Sequence, residues 1–221
     1  MKKRLFTVFM SVIVSFMCVF SVNKDVLAAT QKSDGQNMKK VLYYYGKKKY
    51  QTAQKYNKKI SKTARETCVA KMSSNMKEAY RKVVKKFGVD YSSGKKHIME
   101  YYLSDIDNDK KADLMVKAGT CAADETLYVY QYKKDTAKKI GAVGASHTDY
   151  YAYPNHKGIL GYGGMMGGEW ITLVTIQRGK AKSKFVGSRE IEENWFNLRC
   201  SLKSHVSYND GDIIVDYGDL L

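Results

Sequence analysis

Asp105, Asp107, Asp109 and Asp113 stand two or four positions apart in the stretch SDIDNDKKADLMV, residues 104–116. Carboxylates crowded into one short turn raise one another's energy of ionisation unless a positive charge sits among them. Counted from Asp105, they fall at positions 1, 3, 5 and 9, and Lys111 at position 7 can add its backbone carbonyl. Hard oxygen donors at those positions suit a hard divalent cation, calcium above all. A helix–loop–helix calcium hand would need a bidentate glutamate at position 12, where this chain has Val116. The apolar residues that follow read as a buried strand instead.

The other residues able to do chemistry are scattered. His147, Asp149, His156, Glu169 and His205 are the candidates for acid–base work, and His147 and Asp149 share strand parity, so one could orient the other. No nucleophile motif, no H-E-x-x-H and no phosphate-binding loop accompanies them. The glycine-rich GYGGMMGGEW, residues 161–170, lacks the strand–loop–helix setting of a phosphate cradle and reads as a wide hairpin. The residues therefore favour binding over catalysis; the alternative is an extracellular hydrolase of a wall polymer using His147 and Asp149. Rings are plentiful in the same region. His147, Tyr150, Tyr151, Tyr153, Tyr162 and Trp170 could form a ligand surface that stacks on a glycan or meets a protein.

The elements that must position these residues fall into two halves. Residues 29–100 carry 19 lysines and arginines against 5 acidic residues, whereas residues 101–221 carry 15 against 16. The basic half has an apolar stripe at helical spacing from Ile60 through Met76 and Val83 to Phe87, which Gly88 is placed to end. A weaker stripe upstream runs through Val41, Leu42, Tyr45, Tyr50, Ala53 and Tyr56, with Gly46 as its break. After residue 97 the period changes to two. Short runs at 113–117, 126–132, 139–145, 149–153, 159–162, 170–177, 204–208 and 213–217 alternate and are separated by turn residues. This predicts an α+β protein in which N-terminal basic helices cover a C-terminal antiparallel β-meander.

The N-terminus predicts the compartment. Lys2, Lys3 and Arg4 precede an apolar run from Leu5 to Val22, and Val26-Leu27-Ala28 offers a small-residue cleavage site. The expected organisation is a signal peptide over 1–28, a basic helical region over 29–96 and a β domain over 97–221. Without residues 1–28 the formal charge falls from +16 to +13. Of the remaining cysteines, Cys68 lies on the helical stripe, and Cys121 and Cys200, both beside loops, are the candidate disulfide pair, the alternative being free thiols throughout. A secreted chain with a cationic helical half is expected to meet an anionic cell-wall polymer or membrane surface; nucleic acid is not expected there.

The spacing D-x-D-x-D-x-x-x-D-L before a strand resembles the calcium loops of FG-GAP/VCBS repeats, over roughly residues 99–135. That resemblance implies calcium held by Asp105, Asp107, Asp109 and Asp113 and propeller-blade-like strands. It departs at Lys110, where the repeats carry glycine. The order of features along the chain also looks like that of small secreted proteins of Gram-positive bacteria, which implies secretion rather than a particular activity.

Overall fold

A computed structural model describes residues 27–62, 72–89, 94–191, 194–209 and 212–221. The predicted signal peptide lies, except for its last two residues, outside them, as do Cys68 and the middle of the long helical stripe. Helix α1 covers residues 27–46 and ends at Gly46, as the sequence predicts. Lys48, at φ 58°, lets the chain reverse into α2, Tyr50–Asn57. Helix α3, Ser74–Lys86, starts where the Ser73 hydroxyl accepts a hydrogen bond from the Met76 N–H and stops at an extended Phe87.

The single long helix expected from Ile60 to Phe87 is therefore not formed. Ile60 lies in the turn after α2, and Met72 precedes the α3 cap. The reason is that the two ends of the stripe belong to different cores. Ile60 packs with Met38, Val41 and Tyr45 of α1, whereas Met76, Tyr80, Val83 and Val84 pack against the first sheet.

The strands form two four-stranded antiparallel meanders and a terminal hairpin. The first contains β1 (His97–Ser104), β2 (Asp113–Gly119), β3 (Thr126–Lys133) and β4 (Thr136–Gly144) in sequential order. The second contains β5 (Thr148–Ala152), β6 (Ile159–Met165), β7 (Gly168–Gln177) and β8 (Lys180–Glu190), again in order. The hairpin pairs β9 (Val206–Asn209) with β10 (Asp212–Val215). The α+β class with helices packed on an antiparallel meander is thus the observed one, but the meander is split in two and each half carries its own helices. Two strands lie outside the predicted runs. The register of β1 shifts between Ile98 and Glu100, which breaks its period of two. Edge strand β8 is KAKSKFVGSRE, too polar to show an apolar face.

Alternation along the strands explains the layers. In β3, Leu127 and Val129 point to one face and Tyr128, Tyr130 and Tyr132 to the other. The first face joins Tyr102, Met115 and Ile140 to Tyr150, Ile159, Val174 and Ala181 of the second meander, making a core between the two sheets. The opposite face of the first sheet is covered by α3, the terminal hairpin and Leu220. The opposite face of the second sheet is covered by α1 and α2, with Phe196 and Leu198. Strand β2 is buried along its whole length because it has neighbours on both edges and cover on both faces. Helix α1 lies so close to the β5–β6 turn that a Cβ on Gly35 would strike the Pro154 carbonyl, which accounts for glycine inside a helix.

Candidate functional site

Pairing of Ser104 with Asp113 closes the β1–β2 hairpin and leaves residues 105–112 as its loop. The loop winds around its own carboxylates. Asp105 accepts from the N–H groups of Asp109 (3.1 Å) and Lys110 (2.8 Å), Asp107 accepts from Asp109 N–H (3.2 Å), and Asp109 accepts from Lys111 N–H (2.8 Å). Such tight winding needs left-handed backbone, found at Asn108 (φ 60°) and Lys110 (φ 68°). The outcome is that one carboxylate oxygen from each of Asp105, Asp107 and Asp109 lies within 4.8 Å of the others, a cluster that could hold a metal ion. Among the described residues, no lysine or arginine side chain forms an ion pair with these three.

Asp113 plays a different part from its three neighbours. It is 2% exposed and stands at the base of the loop, where it accepts from Ile106 N–H at 2.9 Å. Gln131 on β3 donates to Asp113 at 3.0 Å and to Asp107 at 2.9 Å, so one amide ties the base of the loop to the cluster. Burial pushes the Asp113 carboxyl up to about 7, and the nearby Asp107 and Asp109 charges add to the effect. Burial also raises Asp105, against the pull of its amide donors. Lys111 contributes an N–H to the winding of the loop. Two further anchors hold it in place: Ile106 is sunk in the core between the sheets, and Tyr80 of α3 donates to the Ala112 carbonyl at 2.7 Å. Gln131 was open to sequence reasoning, since it is the polar residue in the inward series Leu127, Val129, Gln131.

The ring-rich stretch does not form one surface. Tyr150 is buried between the sheets, Tyr162 is buried in the outer core, and Tyr151 and Tyr153 pack against that core. Strand alternation sends successive rings to opposite faces. Trp170 lies over Gly163, where a Cβ would sit 2.5 Å from the indole. His147 occupies the turn before β5 at φ 48°, so it does not share a strand face with Asp149. The ring of His156 packs on Tyr153 at 4.4 Å, and His205 stacks on Tyr101 at 4.7 Å.

The expected Cys121–Cys200 disulfide is absent. Both thiols are free, because Cys121 is exposed in the β2–β3 turn while Cys200 is buried in the outer core of the second sheet. Burial pushes the Cys200 thiol up to about 12.

Two buried charge centres are assembled from residues far apart in sequence. Lys117 on β2 lies 2.7 Å from Glu100 and 3.4 Å from Glu125, with Asp149 at 4.0 Å, and also donates to the Thr148 carbonyl. Burial opposes its charge, yet the two glutamates hold its pKa above the ordinary value. Glu169 on β7 is fully buried and accepts from Arg189 Nε (2.5 Å), the Tyr162 hydroxyl (2.6 Å), the Phe196 N–H (3.0 Å) and the Tyr45 hydroxyl (3.4 Å). Its partners come from α1, β6, β8 and the segment after β8, a convergence that spacing along the chain cannot reveal.

No protein-family model matches the chain, and no curated protein or solved structure matches it either. No helix among the described residues is long and apolar enough to cross a membrane.

Proposed function

We propose that the protein is a secreted, non-enzymatic binding module that works at a cell surface or wall and is steadied by one calcium ion. The observation that carries the calcium reading is the convergence of Asp105, Asp107 and Asp109 within 4.8 Å on an exposed loop. Carboxylate-only chemistry favours a hard ion over zinc or copper, and an irregular loop suits calcium better than the rigid octahedron of magnesium. Asp113 and Gln131 support the cluster from beneath, and Lys111 can turn its carbonyl to the ion. The signal-like N-terminus supports an extracellular setting, where calcium is plentiful. The lysine-rich helices support contact with an anionic wall polymer or membrane surface.

Thermal unfolding of the mature chain in EDTA and in millimolar calcium tests this reading. A ligand present at a hundred times its Kd stabilises by about 2.7 kcal/mol, which for a domain of this size raises Tm by roughly 5–10 °C. Asp107→Ala is expected to abolish the shift while keeping the melting point in EDTA close to that of the parent. Identical midpoints for the parent with and without calcium would overturn the calcium reading. An equal shift in parent and Asp107→Ala would move the ion elsewhere.

A further inference from the structure

We propose that the cleft between α2 and the segment after β8 binds an acidic saccharide, a sugar ring bearing a carboxylate or phosphate. The inference rests on the reading of the protein as a surface-binding module and names what it would hold. The cleft encloses about 450 Å³, and its aromatic wall is Trp195, 45% exposed. The indole is seated directly on Gly164 of β6, where a Cβ would overlap the ring. One side of the ring is thus fixed against backbone and the rest is presented to solvent. A flat, rigid, half-exposed ring offers the CH face of a sugar a large contact at little entropic cost.

The floor of the cleft is preorganised. Arg189 lies between the rings of Tyr50 (5.8 Å) and Phe196 (5.9 Å). Its Nε donates to buried Glu169, and its terminal nitrogen donates to the Asn194 carbonyl at 2.5 Å. Because Glu169 also accepts from Phe196 N–H, one buried carboxylate fixes both Arg189 and the backbone that carries Trp195. The opposite wall is α2, which presents the amides of Gln51 and Gln54 and Lys55, with Lys58 just past its end. Among the described residues no carboxylate lines the cleft, and neither lysine enters an ion pair. Apolar ring, amides and cations are the groups that an acidic saccharide would engage: its CH face, its hydroxyls and its anion.

Short oligogalacturonates, phosphorylated cello-oligosaccharides, neutral cello-oligosaccharides of matched length and anionic phospholipid vesicles would be titrated into the mature chain. Calorimetry and tryptophan fluorescence would report binding. Binding of either acidic probe, with the neutral sugars at least about tenfold weaker, supports the proposal, and the two acidic probes distinguish carboxylate from phosphate. Trp195→Ala is expected to weaken binding at least about tenfold, as is Lys55→Glu combined with Lys58→Glu. Gly164→Ala is expected to do the same by lifting the indole. Equal binding of neutral and acidic sugars, response to vesicles alone, no response to any probe, or unchanged affinity in the lysine variant would each overturn it. The calcium-induced melting shift, measured on every variant, shows whether the fold and the calcium reading survive independently.

Discussion

The acidic loop and the aromatic cleft are built in opposite ways. The loop is nearly self-sufficient: eight residues between paired strands supply the clustered carboxylates, the N–H donors that wind around them and the left-handed turns that permit the winding. The cleft borrows from α2, β6, β7, β8 and the segment after β8, and its geometry hangs on Glu169, which does not line it. A local site can be damaged without disturbing the fold, whereas an assembled site shares its supports with the core. Mutations should therefore separate function from stability at the loop and join them at the cleft.

The largest effect should follow from removing the shared support. Glu169→Ala leaves Arg189 half-buried without its carboxylate and strips acceptors from the Tyr162 hydroxyl and the Phe196 N–H. Breaking one partner out of a buried pair costs about 3–5 kcal/mol, so denaturant unfolding should show a loss of that order. Because the loop is supported from the other sheet, the calcium shift should persist in whatever fraction remains folded. A loss below about 1 kcal/mol, the range of an exposed ion pair, would mean that Glu169 is not the support of the cleft.

The next effect belongs to the loop and depends on pH. The Asp113 carboxyl titrates at about 7 in the folded chain against an ordinary value of 3.8. Between those values the native state holds a proton that the unfolded chain has lost, so this group makes the protein less stable as pH rises from about 4 to about 7 and adds nothing beyond. The full displacement corresponds to at most about 4 kcal/mol, less whatever the loop recovers by relaxing. In EDTA, unfolding free energy should fall across that window. Bound calcium favours the ionised carboxyl, so saturating calcium should flatten the profile and the calcium-induced shift should grow with pH. A profile in EDTA that is flat, or that rises from pH 4 to 7, would show that Asp113 is not held protonated beneath the loop.

The same contrast explains what could be read from the sequence. Spacing alone locates the acidic cluster, because its carboxylates lie within one turn. It also located most strands, since Leu127 and Val129 alternate cleanly with Tyr128 and Tyr130. It missed β1 and β8, where a bulge and a run of edge lysines erase the period of two. It merged α3 with the turn after α2, because Ile60 and Met76 keep helical spacing while serving different cores. It groups Tyr150 with Tyr151 and Tyr162, but strand alternation turns Tyr150 into the core between the sheets, while Tyr151 and Tyr162 meet in the outer core. Nothing in the local pattern marks Trp195, which lies after a polar edge strand and whose partner glycine sits some thirty residues earlier in GYGGMMGGEW.

The smallest effect tests how far the loop is independent of its ion. Lys110 holds φ 68° while its N–H donates to Asp105 at 2.8 Å. Left-handed backbone costs an ordinary residue about 1–2 kcal/mol, and asparagine tolerates it, as Asn108 already does at φ 60°. Glycine would remove the strain but add back about 0.5–1 kcal/mol of unfolded-chain entropy. Lys110→Asn should therefore raise Tm in EDTA by about 2–4 °C, and Lys110→Gly by less. Both substitutions remove the same charge, so electrostatics should change calcium affinity equally in the two. If the strained conformation belongs to the fold, the calcium-induced shift should then be the same in both variants. A larger shift in Lys110→Gly, with little gain for either variant in EDTA, would mean that the loop takes this conformation only around its ion. The contrast between a self-sufficient loop and an assembled cleft would then fail at its simpler end.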